Sequence, residues 1–217
     1  MLLDRLCDQD DLGHQIVTQE QAVETGIIRL KWEVDSSGYQ LVEREERGGT
    51  ILTHSPAGTY IVPRGGKRSL LDVGLQDHDI FLDLANAPTT HDGVLAFTNR
   101  WGQLAKGDEQ AVSEFFAIQQ SMAWSMTAPV SKVRQALRKK DALGSLKIDL
   151  EGKHLALLAN ALVQFCWLQR LHALDAGADI ARCPECKLFL PNRYKPGRVK
   201  KHCSNACKQR LYRRNRT

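Results

Sequence analysis

Cys183-Pro184-Glu185-Cys186 and, sixteen residues further on, Cys203-Ser204-Asn205-Ala206-Cys207 put four of the six cysteines within 25 residues. Two close pairs separated by a loop of that size are a zinc signature. A two-residue gap lets a tight turn bring both sulfurs to about 2.3 Å from one ion, and a three-residue gap sets two thiolates on one helical face. Ser204 or Asn205 is suited to cap a helix through Lys208, Arg210, Tyr212 and Arg214, whose first turn presents Cys203 and Cys207. The expected layout is a knuckle, a hairpin and a helix: a treble-clef-like module holding one structural Zn2+ on Cys183, Cys186, Cys203 and Cys207.

A module of about 35 residues buries too little core to fold alone, so the metal has to supply stability, on the order of 10 kcal/mol. Four thiolates leave no open coordination position for water, which makes the expected role structural and not catalytic. Around a dication they carry a net charge of −2, which Arg182, Lys187, Lys201 and Lys208 are placed to offset. A disulfide pair is the alternative use of the same residues, and it requires an oxidising compartment.

Working outward, the net charge of +5 conceals an asymmetry. Residues 182–217 hold twelve Lys or Arg and a single acid, Glu185, a net of +11, while the remainder has eighteen basic and twenty-four acidic residues, a net of −6. Arg193, Lys195, Arg198, Lys200 and Lys201 between the cysteine pairs, and Lys208, Arg210, Arg213 and Arg214 beyond them, have the character of a phosphate-binding surface. The expected partner is nucleic acid, DNA first. Phe189, Tyr194 and Tyr212 are available either to stack on bases or to cover the metal core. The same charge run also fits a solvated extension, or one docked on the acidic body.

The body reads as two stretches. Residues 1–77 form a β-rich part, in which 27–34, 39–44, 50–53 and 59–62 are rich in β-branched and aromatic residues and are separated by turn signals, predicting an antiparallel meander. From Thr90 the apolar spacing changes to three and four, predicting helices over about 92–105, 108–126 and 151–176, with a further candidate at 131–139. Gly177 is placed to cap the long helix. The fold class expected is α+β: a β-rich segment, a mainly helical body over 78–178 and the small module at 182–217.

Residues 183–216, with Cys203-Ser204-Asn205-Ala206-Cys207-Lys208-Gln209-Arg210 at the second pair, resemble the CGNR-type zinc finger. The family's Cys-Gly-Asn-Arg run is here Cys207-Lys208-Gln209-Arg210, differing at two of four positions. Phe81-Leu82-Asp83-Leu84-Ala85-Asn86 is similar to the opening of the helical ABATE domain that commonly precedes that finger. The resemblance spans roughly residues 78–217 and implies a bacterial, stress-associated transcription regulator.

Other chemistry has little support. Asp77, His78, Asp79, Asp83, His91 and Asp92 form the other dense group of acid–base or ligand residues, although Asp83 and Asn86 are suited to capping a helix or tying down a turn. Arg64-Gly65-Gly66-Lys67-Arg68-Ser69 has the glycines of a phosphate loop without its spacing, and reads as a surface turn. No His-Glu-x-x-His, Gly-x-Ser-x-Gly or dinucleotide fingerprint occurs, so no enzyme class is suggested. Trp101, Trp124 and Trp167 are expected in the core, where a pocket for an effector would use the same residues. Cys166 reads as a small buried hydrophobe.

Asn160, Gln164, Gln169, Arg170 and His172 break the apolar stretch 155–174, which excludes a membrane span there. Met1-Leu2-Leu3-Asp4-Arg5-Leu6 lacks the pattern of a secretory signal, so the cytoplasm is the expected location. The function expected is a zinc-binding transcriptional regulator that contacts nucleic acid through its basic module. The alternative is a zinc-stabilised adaptor for an acidic protein partner.

Overall fold

The computed structural model describes residues 28–45, 57–75, 78–105, 107–140, 147–151, 154–158, 161–178, 180–191 and 201–214. The first of these form β1 (Ile28–Asp35), β2 (Tyr39–Arg44), β3 (Gly58–Pro63) and β4 (Arg68–Gly74). They do not make the expected meander. β1 pairs antiparallel with β4, with Trp32 opposite Leu71, while β2 pairs with β3 in a separate sheet. The reason lies in the turn after β3, which folds back over the end of β1. There the Asp35 carboxylate accepts hydrogen bonds from the backbone N–H groups of Ser37, Gly65 and Gly66. The expected strand at 50–53 lies outside the described residues.

Four helices follow: α1 (Ile80–Asn86), α2 (His91–Trp101), α3 (Val112–Ser125) and α4 (Val130–Lys140). Thr90 caps α2 through its hydroxyl, which accepts from the Gly93 N–H. Between α2 and α3, the short β5 (Gln110–Ala111) adds to β3.

The long helix expected over 151–176 is a correction. Residues up to Leu158 are strands, β6 (Lys147–Glu151) and β7 (His154–Leu158), and the helix α5 runs only over Leu162–Asp175. Leu155 and Leu158 share a helical spacing, but a short apolar run fits a buried strand equally well, and tertiary pairing decides. β7 pairs parallel with β1 and antiparallel with β6, so one sheet in the order β4-β1-β7-β6 joins the β-rich first part to the later half of the chain.

The core gathers Leu30, Trp32 and Val73 from this sheet with Phe81, Leu84, Phe97, Phe115 and Phe165 from the helices. Phe97 and Phe115 meet edge to face at 5.5 Å. Gln169, 1% exposed on α5, ties three backbone groups together: it accepts from the Phe81 N–H at 3.2 Å and donates to the carbonyls of Leu75 and His78. α5 ends as expected at Gly177, in the left-handed region (φ 64). The Ala178 N–H bonds to the Ala173 carbonyl and the Gly177 N–H to that of Leu174, the pattern of a Schellman cap.

A two-stranded antiparallel hairpin, β8 (Ile180–Arg182) and β9 (Phe189–Pro191), and the helix α6 (Asn205–Arg214) complete the described chain. Among the described residues the fold is mixed α/β, with six helices and small, mainly antiparallel sheets. Among the described residues no helix is long and apolar enough to cross a membrane.

Candidate metal centre

The hairpin turn carries the first cysteine pair. The Lys187 N–H closes onto the Cys183 carbonyl at 2.9 Å, and the Cys183 N–H bonds to the Leu188 carbonyl at 2.8 Å. To make this turn Lys187 adopts φ 64, the left-handed region in which glycine is the residue of least cost. Its ammonium donates to the Pro184 carbonyl at 2.8 Å.

The second pair is set by a helix start. Of the two expected caps Ser204 fills the role, its Oγ accepting from the Cys207 N–H at 3.2 Å. This places Cys207 on the inner face of the first turn of α6, where it is buried with Cys183 and Leu190.

The four Sγ atoms of Cys183, Cys186, Cys203 and Cys207 all lie within 4.8 Å of one another. Cys203 is 3.3 Å from both Cys186 and Cys207. A tetrahedral ion bound by thiolates at about 2.3 Å requires sulfurs about 3.8 Å apart, so the four lie close enough to hold a metal ion. Among the described residues they are the group of three or more His, Cys, Asp or Glu side chains gathered in this way.

The environment favours the thiolate at Cys183 and Cys207. Burial by itself raises the Cys183 thiol, but the backbone N–H groups of Cys186, Cys203 and Glu185 bring it down to about 6. Cys207 is held below the ordinary thiol range by the Cys203 thiol and then by the Ser204 hydroxyl. Cys203 is the proton-bearing partner, pushed up to about 12 by its contacts with Cys207 and Cys186.

α6 divides its basic residues between two faces. Arg210, one turn beyond Cys207, donates from Nη2 to the Cys207 sulfur at 3.5 Å, and Arg214 pairs with Glu185 of the knuckle at 3.3 Å. Both cations face the cysteine cluster and its knuckle. Lys208, Arg213 and Tyr212 lie on the outer side, with Tyr212 59% exposed. Lys201 is exposed ahead of the helix. Arg193, Lys195, Arg198 and Lys200, with Tyr194, lie outside the described residues.

Of the cations expected to offset the cluster charge, Arg182 instead stacks over the Phe189 ring at 4.6 Å, and among the described residues it is Arg210, outside that expected set, that donates to a cluster sulfur. The i+3 spacing from Cys207 to Arg210 was the available signal for that contact.

Away from the cluster, Asp83 accepts from Trp101 Nε1 at 3.0 Å and pairs with Arg100 at 3.2 Å, tying α1 to α2. His78 packs on the Trp101 ring, and His91 and Asp92 are exposed on the first turn of α2. Asp77 lies outside the described residues. The amides of the Gly65-Gly66 turn are taken up by Asp35. Trp101 and Trp167 are buried, whereas Trp124 is 44% exposed and lines, with Trp167, Ile118 and Leu137, an open groove of about 240 Å³ between α3 and α4. Cys166 is fully buried, and burial pushes its thiol far up.

Compared with protein-family models, with curated proteins and with solved structures, the chain finds no match in any of the three.

Proposed function

We propose that Cys183, Cys186, Cys203 and Cys207 hold one structural Zn2+ in a treble-clef-like module, and that the outer side of α6 lets this module dock on nucleic acid, DNA in the first instance. The observation that carries the reading is the convergence of four sulfurs within 4.8 Å at the base of a helix whose opposite side is basic. Thiolates fit a soft dication of tetrahedral habit. Lys208, Arg213 and Lys201 supply phosphate contacts, and Tyr212 offers an aromatic face beside them. The role that follows is that of a regulator of the CGNR kind, with the body placing the module.

Native mass spectrometry of the intact chain, repeated on Cys183→Ser and Cys207→Ser, tests the metal. One zinc per chain, lost in both variants, is the expected result. Titration of a labelled duplex at several salt concentrations tests the partner. The log–log salt slope should become shallower by about 0.9 for each phosphate contact removed by Lys208→Ala or Arg213→Ala. Binding that ignores salt and excess duplex would point instead to an acidic protein.

A further inference from the structure

β9 has a different neighbour on each face. Phe189 is buried in the main core of the body, whereas the next residue, Leu190, is buried with Cys183 and Cys207. Successive side chains of a strand point to opposite faces. This short strand is therefore a wall shared by the body and the cysteine cluster.

The edge of the wall is held by Asn86, the last residue of α1. Its Nδ2 donates to the Phe189 carbonyl at 3.0 Å, and its Oδ1 accepts from the Phe189 N–H at 2.7 Å. A side-chain amide thus supplies the donor and acceptor that a neighbouring strand would otherwise provide. At its other end α1 is tied into the body by the Phe81–Gln169 bond, and Ile80, Phe81, Leu82, Leu84 and Ala85 are all buried. If β9 shifts when the knuckle loosens, the amide loses both bonds and the Phe189 ring leaves the core.

We propose that Asn86 is a positioning residue that makes metal loading of the cluster and packing of the body one linked equilibrium, so that the body registers whether the module holds its metal. The inference rests on the metal-binding reading of the four cysteines. Linkage is reciprocal, so an event that tightens α1 strengthens metal binding by the same factor.

Trp32, Trp101, Trp124 and Trp167 all lie outside residues 182–217, so tryptophan fluorescence reports on the body alone. The experiment follows fluorescence melting of the full chain with zinc and after chelation, for the wild type and Asn86→Ala, with metal content read by native mass spectrometry. Chelation should lower the wild-type melting temperature by roughly 5 °C. Asn86→Ala should keep one zinc, bound about tenfold more weakly, and lose about half or more of that shift. If Asn86→Ala does not fold, Asn86→Asp replaces it, keeping the acceptor and losing the donor.

Hydrogen exchange at the α1 amides, which needs no variant, should accelerate in the wild type on chelation. A zinc-loaded wild type whose melting and α1 exchange ignore chelation overturns the coupling and leaves the metal site standing. An Asn86 variant that retains the whole shift removes Asn86 from the linkage. Failure of the wild type to take up zinc overturns both readings.

Discussion

Arg210 donates a hydrogen bond from Nη2 to the sulfur of Cys207 at 3.5 Å, one helical turn along α6. Hydrogen bonding to a ligating sulfur lowers the charge it has to carry alone, and such outer contacts commonly contribute tenfold or more to metal affinity. On the proposed zinc reading, Arg210→Ala should therefore weaken zinc retention against a competing chelator by about tenfold. Arg213→Ala, on the outer side, should leave retention unchanged. Equal retention in the two variants would remove the structural role from Arg210.

Lys187 occupies a left-handed turn position at φ 64 in the first knuckle. A side chain there costs about 1 kcal/mol relative to glycine, and its exposed bond to the Pro184 carbonyl returns only part of this. Lys187→Gly should stabilise the zinc-loaded module by a few tenths to about 1 kcal/mol, measured as slower zinc release. Faster release would show that the lysine contact outweighs the backbone strain.

Gln169 satisfies the Phe81 N–H and the carbonyls of Leu75 and His78 from a buried position on α5. Gln169→Leu keeps most of the volume and leaves these backbone groups without that partner. The expected cost is about 3 kcal/mol, a fall in melting temperature of roughly 10 °C. A fall of only a degree or two would mean that water or neighbouring groups take over the bonds.

Burial holds the His172 imidazole below its ordinary range, with the nearby Asp175 carboxylate acting in the opposite direction. The unfolded chain takes up this proton near pH 6.5, so the contribution of the neutral ring is present above that pH. It is lost as pH falls through the lower native value. Melting temperature should drop more steeply between pH 7.5 and 5 in the wild type than in His172→Gln. Acid acts on the thiolates of both proteins alike, so the difference in slope isolates His172, and identical slopes would exclude it.

The cysteine cluster was legible because its geometry is local. A two-residue turn and a three-residue helical spacing determine where each pair of sulfurs can point, and Ser204 caps the helix from within the same stretch. The split of α6 into an inner side with Arg210 and Arg214 and an outer side with Lys208 and Arg213 follows from helical period once Cys207 is known to face inward. α2, α3 and α4 were equally readable from apolar spacing, as was the stop at Gly177.

Where pairing partners lie far apart, the sequence was silent or misleading. His154–Leu158 has helix-like leucine spacing yet forms a strand, because β1, more than a hundred residues earlier, offers a parallel edge. β1 and β2 look like neighbours in a meander, but Asp35 gathers the Gly65-Gly66 turn and brings β4 to β1 instead.

By itself the sequence determined the clustering of the four cysteines, the helix that Ser204 caps and the charge asymmetry, all of which depend on residues close to one another along the chain. Only the tertiary structure decided that Asn86 grips Phe189 across 103 residues and so seats the cysteine module on the body. A side-chain amide satisfies whichever backbone the folded chain brings to it, and no local spacing encodes that choice.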